Sequence, residues 1–265
     1  MKADINKLLD IMAQLRDPQS GCPWDLQQDF STLLPYTLEE VYEVVDAIER
    51  HDYSHLCEEL GDLLFQIVFY AQIANERSLF DMSAIIDGIA AKLLIRHPHV
   101  FAENNAGIQN VEELHVRWEA RKQQDRHAKG VMGLLGDVPV ALPALQRAHK
   151  IQSRMARVGL DWSNPHDVLQ QLRDEVEELA QAMHTADSAA CADELGDVLF
   201  SCVNLARHLQ LDAESCLRQA NAKVSARIAW MEGVLQDRQQ NLSDKSAGEL
   251  ELLWQEAKRV LLAGS

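Results

Sequence analysis

The chain has 265 residues, of which 47% are apolar and 25% are charged, a composition typical of soluble globular proteins. Its formal net charge of −16 disfavours a nucleic-acid polymer as a partner, because binding to DNA or RNA requires a basic surface. A small anionic substrate remains compatible with this charge if a metal ion joins it to acidic groups. Glycine and proline are few, so helix is the expected secondary structure.

The cysteine content and the absence of long apolar runs indicate a cytoplasmic protein. The five cysteines are odd in number and form no C-x-x-C pair, which is typical of reduced thiols and not of a disulfide framework or a zinc site. The N-terminal segment lacks the apolar core of a signal peptide. No apolar run approaches the roughly 20 residues that a membrane span needs, so no membrane association is expected.

The first half of the chain predicts a series of helices. In the segment PYTLEEVYEVVDAIER, Thr37 followed by Glu40 has the form of a capping box, which predicts that a helix begins there. The next segment, 54–76, has apolar residues three and four apart and is apolar on most sides after Asp62. This pattern predicts a helix at the centre of a bundle.

Two further helices and a linker complete the first half. The helices are expected near 82–95 and 111–122, the former ending before Pro98. The segment 123–139 contains three glycines and a proline and no clear period, which predicts a linker.

The second half repeats the first in the same order, with a helix expected to start near residue 165. EELGD (58–62) returns as DELGD (193–197), 135 residues later, and further segments correspond with small gaps. A tandem duplication is therefore predicted, with all-α helical-bundle domains at 1–122 and 140–265. The other aligned residues are Glu40 with Glu175, Glu43 with Glu178, Lys92 with Lys223, Arg96 with Arg227, Trp118 with Trp254, and Trp24 with Trp162.

The acidic residues of each half are spaced to meet across a helical hairpin. Positions three apart share one face of a helix, so each half carries two pairs of carboxylates that face the same way. If the first hairpin turns at residue 51, Glu43 is level with Glu59 and Glu40 is level with Asp62. A turn at residue 186 does the same in the second half for Glu178 with Glu194 and for Glu175 with Asp197.

Four carboxylates at close range repel one another, and a hard divalent cation would remove that repulsion. Oxygen ligands suit Mg²⁺, with Mn²⁺ as a substitute, and Mg²⁺ commonly joins carboxylates to substrate phosphates. The eight residues of the two squares are therefore predicted metal ligands. Each ExxE or ExxD motif alone is also common on solvated helix faces, and it is their repetition with mirrored spacing that favours a site.

Several other residues can be interpreted either as structural or as functional. They are the glycine inside each ELGD motif, two basic residues and a tryptophan of the second half. Gly61 and Gly196 cost about 1 kcal/mol relative to alanine in a helix, which suggests close backbone approach or simple shared ancestry. Lys223 and Arg227 are either phosphate ligands or a solvated face. Trp254, with Lys258 one turn later, is either a core residue or a stacking surface for a base.

Taken together, these motifs resemble the MazG nucleoside triphosphate pyrophosphohydrolases. The resemblance covers essentially the whole chain in its two-repeat form, and its most characteristic phrases are GCPWD, PYTLEEVYEV and RHPHVF. It implies an all-α homodimer that uses Mg²⁺ to hydrolyse nucleoside triphosphates, including ATP, to a monophosphate and pyrophosphate. Broad base specificity and a role in nucleotide-pool housekeeping are the corresponding expectations.

The resemblance also implies site residues, and it favours the second repeat as the catalytic one. There the metal ligands are expected to be Glu175, Glu178, Glu194 and Asp197, with Glu178 or Glu194 accepting the proton of the attacking water. Where family second repeats often carry lysines before the acidic pairs, this chain has Gln171 and Ala190. The expected substrate contacts are Gln171, Lys223, Arg227, Trp254 and Lys258.

Two alternatives to this enzyme follow from the same residues. A carboxylate-bridged di-iron bundle would use Glu-x-x-His motifs, whereas both second motifs here are Glu-x-x-Asp. A non-catalytic regulator that binds nucleotides is the other alternative, although the complete acidic set in both repeats argues against it.

Overall fold

A computed structural model describes residues 4–101, 133–185 and 187–263, which consist of helices and their connections with no strand. The chain divides into two compact units, Met1–Lys122 and Gln123–Ser265. The prediction of two tandem all-α domains is confirmed. The predicted helix near 111–122 and most of the predicted linker lie outside the described residues.

A helical hairpin forms the centre of the first unit. Helices α3 (Leu34–Glu49) and α4 (Tyr53–Glu76) pair along their length, and His51 in the connection between them has a positive φ of 57°. Helices α1 (Ile5–Leu15) and α5 (Met82–Arg96) pack against α4. Two short helices, α2 (Pro23–Gln27) and α6 (Pro98–Phe101), complete the described part.

The second unit is built around an equivalent hairpin. Helices α8 (Pro165–Thr185) and α9 (Ser188–His208) pair most extensively, and α7 (Ala144–Arg157) packs against α9. Helix α10 (Ala213–Gln236) contacts α7 and α9 and pairs with α11 (Ala247–Ala263), after a 3₁₀ turn at Leu242–Asp244. Helix α8 begins at the predicted position, whereas residue 186, the predicted turning point, lies outside the described part.

Each unit has its own apolar packing. In the first, α4 supplies most of a buried cluster, and Phe69 is its largest fully buried side chain; the cluster contains Met12, Leu33, Val68, Phe69, Ala71, Ile73 and Met82. In the second, α10 and α11 bury Met231, Leu235, Leu253 and Ala257 against each other. None of the described helices has both the length and the apolar character that crossing a membrane requires.

One local prediction, the capping box at Thr37, is wrong, and of the two interpretations of the ELGD glycines the structure does not support close backbone approach. Helix α3 begins at Leu34, three residues before Thr37. The Thr37 hydroxyl donates to the Leu33 carbonyl one turn earlier (3.0 Å) and lies 2.8 Å from the Tyr70 hydroxyl on α4. Thr37 is therefore a packing residue between α3 and α4 and not a cap. A Cβ atom added to Gly61 or Gly196 would meet nothing within 4 Å, so neither glycine serves close backbone approach within the described chain.

Arg16, at the C-terminal end of α1, connects three segments of the first unit. Its guanidinium donates to both carboxylate oxygens of Glu76 (2.8 and 2.6 Å) and to the backbone carbonyls of Asp25 and Gln28. It also lies 5.4 Å from the centre of the Phe69 ring. Arg16 is 91% shielded from solvent, so its guanidinium depends on these partners for its hydrogen bonds, whereas the Glu76 side chain is 35% exposed and also accepts from Gln72.

We expect Arg16→Met to lower the free energy of unfolding by about 2–4 kcal/mol, because it removes the hydrogen bonds from a largely buried guanidinium to Glu76 and to the carbonyls of Asp25 and Gln28. Arg50→Met is the matched control, because Arg50 pairs with Asp46 on the surface and both side chains are more than half exposed. That control should change stability by no more than about 0.5 kcal/mol. Urea denaturation followed by circular dichroism measures both, and equal losses would contradict the assigned role of Arg16.

Candidate active site

The hairpin of the first unit brings its acidic residues together. Glu40 and Glu43 on α3 and Glu59 on α4 each place one carboxylate oxygen within 4.8 Å of the others. Asp62, one turn after Glu59, interacts electrostatically with Glu40 and with Glu59. The strongest repulsions pair Glu40 with Asp62 and Glu59 with Glu43, which is the register that a turn near residue 51 predicts.

Burial and repulsion between carboxylates raise the pKa values of two residues of this first cluster, Glu40 and Glu59. The pKa of Glu40 is raised above its usual value of 4.5 by burial first, then by the charges of Asp62 and Glu43, while a hydrogen bond from Gln66 opposes the shift. The pKa of Glu59 is raised by burial and by Glu43. His55 opposes that shift, with its Nε2 atom 3.1 Å from a Glu59 carboxylate oxygen.

The second unit assembles a corresponding cluster on α8 and α9. Glu175, Glu194 and Asp197 place carboxylate oxygens within 4.8 Å of one another. Burial raises the pKa of Glu194 above its usual value, and the charge of Glu178 is the next largest cause, followed by that of Asp197. Glu178 therefore borders the cluster without belonging to its closest triplet.

Both clusters have the ligand chemistry that a hard divalent cation requires. All eight side chains offer carboxylate oxygens, and the clusters are held by helices and not by loops. Burial and the neighbouring carboxylates raise the pKa values of Glu40, Glu59 and Glu194, and a nearby cation would oppose these shifts. The residues thus fit a Mg²⁺ ion, while their assignment as its ligands stays a prediction.

Gln171 contacts the second cluster directly. Its Nε2 atom donates to a Glu175 carboxylate oxygen at 2.6 Å, one helical turn away. Glutamine thus provides a neutral donor where family second repeats often carry lysine. Ala190, the other such position, lies in the first turn of α9, where its backbone N–H donates to the capping side chain of Asp187.

The remaining predicted substrate residues form a separate group on α10 and α11. The Arg227 guanidinium lies 5.1 Å from the centre of the Trp254 ring, and Trp254 also packs against the apolar cluster of these helices. Lys223 is exposed on α10 and Lys258 is half-buried on α11. In the described part of the chain, no hydrogen bond or ion pair joins this group to the carboxylate cluster.

A cavity of ≈ 430 Å³ beside the second cluster was not predicted from the sequence. Glu175 and Gln171 form part of its lining, which is completed by Gln152, Met155, Leu160, Asp161, Trp162, Phe200, Ser201, Asn204 and Arg207. These residues come from α7, the α7–α8 connection, α8 and α9. One difference between the repeats could have indicated this cavity. At their 135-residue spacing, the polar Asn204 aligns with the apolar Phe69.

Two tandem helical units, each with carboxylates gathered across a hairpin, define an all-α protein with paired acidic sites. Comparison with known proteins identifies the class more closely. The sequence pattern of the MazG nucleotide pyrophosphohydrolase domain matches residues 28–101 and 163–231. The chain belongs to this family, and the resemblance noted from its motifs is confirmed.

Two similar proteins match nearly the full length of this chain, and a similar solved structure matches less than half of it. A nucleoside triphosphate pyrophosphohydrolase of Escherichia coli K12 is 46% identical over 257 residues, covering 96% of this chain and 97% of that protein. A nucleoside triphosphate pyrophosphohydrolase/pyrophosphatase MazG of Thermotoga maritima is 37% identical, covering 95% and 94%. The crystal structure of a mazG-related protein from Thermotoga maritima is 31% identical over 44% of this chain, with a TM-score of 0.38.

The raised pKa of Glu59 predicts how the free energy of unfolding depends on pH when divalent cations are removed. Because the folded protein binds this proton more tightly than the unfolded chain, stability falls as the pH rises from 4.5 through the raised pKa and stays lower above it. In EDTA at pH 8, Glu59→Gln should therefore raise the melting temperature by a few degrees, and the difference from wild type should shrink towards pH 4.5.

The matched control for this prediction is Glu58→Gln, because the Glu58 side chain is 76% exposed and lies outside the carboxylate triplet. This control should leave the melting temperature unchanged. Added Mg²⁺ should stabilise wild type more than Glu59→Gln, since the variant lacks one of the predicted ligands. A Glu59→Gln protein that melts below wild type in EDTA would show that repulsion in the cluster is not destabilising.

Proposed function

We propose that the protein hydrolyses nucleoside triphosphates between the α and β phosphates, releasing a nucleoside monophosphate and pyrophosphate in a Mg²⁺-dependent reaction. The observation that carries the proposal is the carboxylate cluster of the second unit in a chain of the MazG family. The names of full-length relatives, nucleoside triphosphate pyrophosphohydrolases, support the reaction class. Ribo- and deoxyribonucleotides with any base, ATP among them, are the proposed substrates in nucleotide-pool housekeeping.

The second cluster is the proposed metal and catalytic site. Glu175, Glu194 and Asp197, together with the adjacent Glu178, would hold Mg²⁺, or Mn²⁺ in its place. When bound, such an ion neutralises phosphate charge and lowers the pKa of a coordinated water. The first unit offers Glu40, Glu43, Glu59 and Asp62 for an ion of its own, but it has Phe69 at the position of Asn204, which lines the cavity of the second unit.

The side chains of the chain itself supply proton transfer and positioning. Glu178 is the proposed acceptor of the proton from the attacking water, because it borders Glu194 but lies outside the closest triplet. Glu194, whose pKa is raised, is the alternative acceptor. Gln171 holds Glu175 through its 2.6 Å hydrogen bond and so orients one proposed ligand.

The group on α10 and α11 supplies the proposed contacts to the rest of the substrate. Lys223, Arg227 and Lys258 are cations suited to phosphate oxygens. Trp254 is the proposed contact to the nucleoside, and its interaction with the Arg227 guanidinium would hold both side chains in place.

Pyrophosphate release from a panel of NTPs and dNTPs with Mg²⁺ tests the proposed activity. We expect Glu178→Gln to lower kcat by at least about 100-fold, because it removes a proton acceptor and a negative charge from the site. Glu43→Gln, the equivalent change in the first unit, should leave kcat unchanged if the second unit is the catalytic one.

Glu177→Gln is the matched control, because Glu177 is an exposed neighbour of Glu178 on α8. If Glu43→Gln lost activity and Glu178→Gln did not, the first unit would be the catalytic one. Nucleotide binding by wild type without any pyrophosphate release would instead favour the non-catalytic regulator, and bound iron in the purified protein would favour the di-iron bundle.

A homodimer is the proposed assembly. Both central helices leave the same apolar face open in the described part of the chain: Leu60, Leu64 and Ile67 on α4, and Leu195 and Leu199 on α9, are 39–51% exposed. Apolar faces of this kind commonly mark contact surfaces between protein chains. The five free cysteines and the net charge of −16 are compatible with the proposed cytoplasmic location and with the absence of a nucleic-acid polymer as partner.

We expect Leu199→Glu to convert the dimer to a monomer, because it places a charge in the middle of the proposed contact surface. Size-exclusion chromatography with light scattering measures the change. Leu252→Glu is the matched control, since Leu252 is 73% exposed on α11 and lies outside that face. A Leu199→Glu variant with the mass of the wild-type assembly would exclude α9 as the contact surface.

A further inference from the structure

His55 lies at the end of the first carboxylate cluster that is nearest to the turn of the hairpin. It precedes Glu59 by one turn of α4, and its Nε2 atom is 3.1 Å from a Glu59 carboxylate oxygen. Two ligands of one metal ion, with bonds of about 2.1 Å at right angles, are about 3 Å apart. The separation of these two atoms therefore suits a shared ion.

The other ring nitrogen of His55 faces a second carboxylate. Its Nδ1 atom is 3.7 Å from a Glu58 carboxylate oxygen, and the Glu58 side chain is 76% exposed. Histidines that bind a metal through one nitrogen commonly donate the N–H of the other to a carboxylate, which fixes the tautomer. A small rotation of the exposed Glu58 side chain would close this distance to a hydrogen bond and leave Nε2 to the cluster.

The two carboxylate clusters are centred at different ends of their hairpins. In the first, the closest triplet contains both members of the pair nearer the connection between the helices, Glu43 and Glu59. In the second, it contains both members of the pair farther from that connection, Glu175 and Asp197. The first cluster is therefore displaced towards His55.

A buried glutamine beside the first cluster has an acceptor without a partner. Gln66 is 6% exposed, and its Nε2 atom lies 3.5 Å from a Glu40 carboxylate oxygen. The Oε1 atom of the same amide has no hydrogen-bond partner in the part of the chain that the structure describes. Buried polar atoms in native proteins generally have a partner. A cation or a water molecule held among the carboxylates would supply one, and amide oxygens are ligands that divalent cations accept.

We propose that the first cluster binds a divalent transition-metal ion in preference to Mg²⁺, with His55 as a nitrogen ligand beside the three carboxylates of the closest triplet. Imidazole nitrogen suits transition metals, whereas Mg²⁺ is bound mainly by oxygen. One nitrogen added to a carboxylate set therefore raises the affinity for a transition metal more than that for Mg²⁺. Mn²⁺ is the probe, because carboxylates also suit it.

The second cluster has no equivalent of this ligand. At the 135-residue spacing of the repeats, His55 aligns with Ala190, whose side chain has no ligand atom. The two sites would then differ in metal selectivity, with Mg²⁺ at the proposed catalytic site and a transition metal in the first unit. The inference rests on the part of the proposed function that gives the first unit an ion of its own, and it holds whether or not that unit takes part in catalysis.

A purely electrostatic role of His55 has a different consequence. The charge of a protonated His55 opposes the raised pKa of Glu59, and 3.1 Å is also a hydrogen-bond distance. In that role, loss of the histidine changes the binding of every divalent cation by a similar factor. A nitrogen ligand instead affects Mn²⁺ far more than Mg²⁺, so a comparison of the two metals separates the two roles.

Metal titrations of the full-length chain test the proposal. The starting protein carries Glu194→Gln and Asp197→Asn, which remove two predicted ligands of the second cluster, so that Mn²⁺ binding reports on the first. Electron paramagnetic resonance at a fixed pH measures free Mn²⁺, and competition gives the affinity for Mg²⁺. We expect His55→Ala to weaken Mn²⁺ binding by at least about tenfold and to change the affinity for Mg²⁺ by less than about threefold.

The matched control is His184→Ala, which removes an exposed histidine of α8 and should change neither affinity. The start of α4 should survive the His55→Ala change, because it is the backbone N–H of His55 that donates to the capping side chain of Asp52. Circular dichroism of each variant checks that the helices are retained.

Direct coordination has a spectroscopic signature that a structural role would not produce. With ¹⁵N-labelled histidine, pulsed electron paramagnetic resonance should detect a nitrogen nucleus coupled to the bound Mn²⁺ of the starting protein. Both His55→Ala and His55→Asn should lose that coupling. His55→Asn retains a polar side chain, so it keeps the test decisive if His55→Ala does not fold.

Three results would overturn the assignment of His55: an unchanged Mn²⁺ affinity in folded His55→Ala, equal losses of affinity for the two metals, or no nitrogen coupling in the starting protein. If the starting protein binds neither metal, the ion proposed for the first unit is wrong as well. The catalytic proposal is tested separately by pyrophosphate release from wild type, so its failure leaves the assignment of His55 intact.

Discussion

Repulsion between carboxylates across a helical hairpin is the interaction on which the rest of each unit depends. Two helices hold acidic side chains within a few ångströms of one another, and burial increases the cost of their charge. Apolar packing of α4 in the first unit, and pairing of α8 with α9 in the second, must offset this cost. The divalent cation proposed for each hairpin would relieve this repulsion.

The two units differ in the side chains that occupy the region next to the carboxylates. In the first, Arg16, Trp24 and Phe69 fill it with a cation and two aromatic rings, which consolidates the core. In the second, Asn204 and Arg207 line a cavity, and the buried Oε1 atom of Gln152 has no partner in the part of the chain that the structure describes. Among the described residues, each unit also keeps a buried glutamine acceptor without a partner, Gln66 Oε1 in the first and Gln152 Oε1 in the second.

The predicted substrate residues form two groups because they lie on two different pairs of helices. Gln171 lies on the hairpin and contacts Glu175, whereas Arg227 and Trp254 interact with each other on α10 and α11. A triphosphate is long and highly charged, so cations on a second pair of helices are well suited to its phosphates.

The sequence by itself determined the helical class, the duplication and the register of the acidic residues. These features depend on local periodicity, because positions three apart on a helix share a face and a mirrored spacing pairs them across a turn. Only the tertiary structure decided that α3 begins before Thr37, that Gly61 faces open space, and that Asn204 lines a cavity where Phe69 fills a core. Those outcomes depend on packing between segments distant in the chain, where neighbouring side chains set the volume, the burial and the hydrogen-bond partners of each residue.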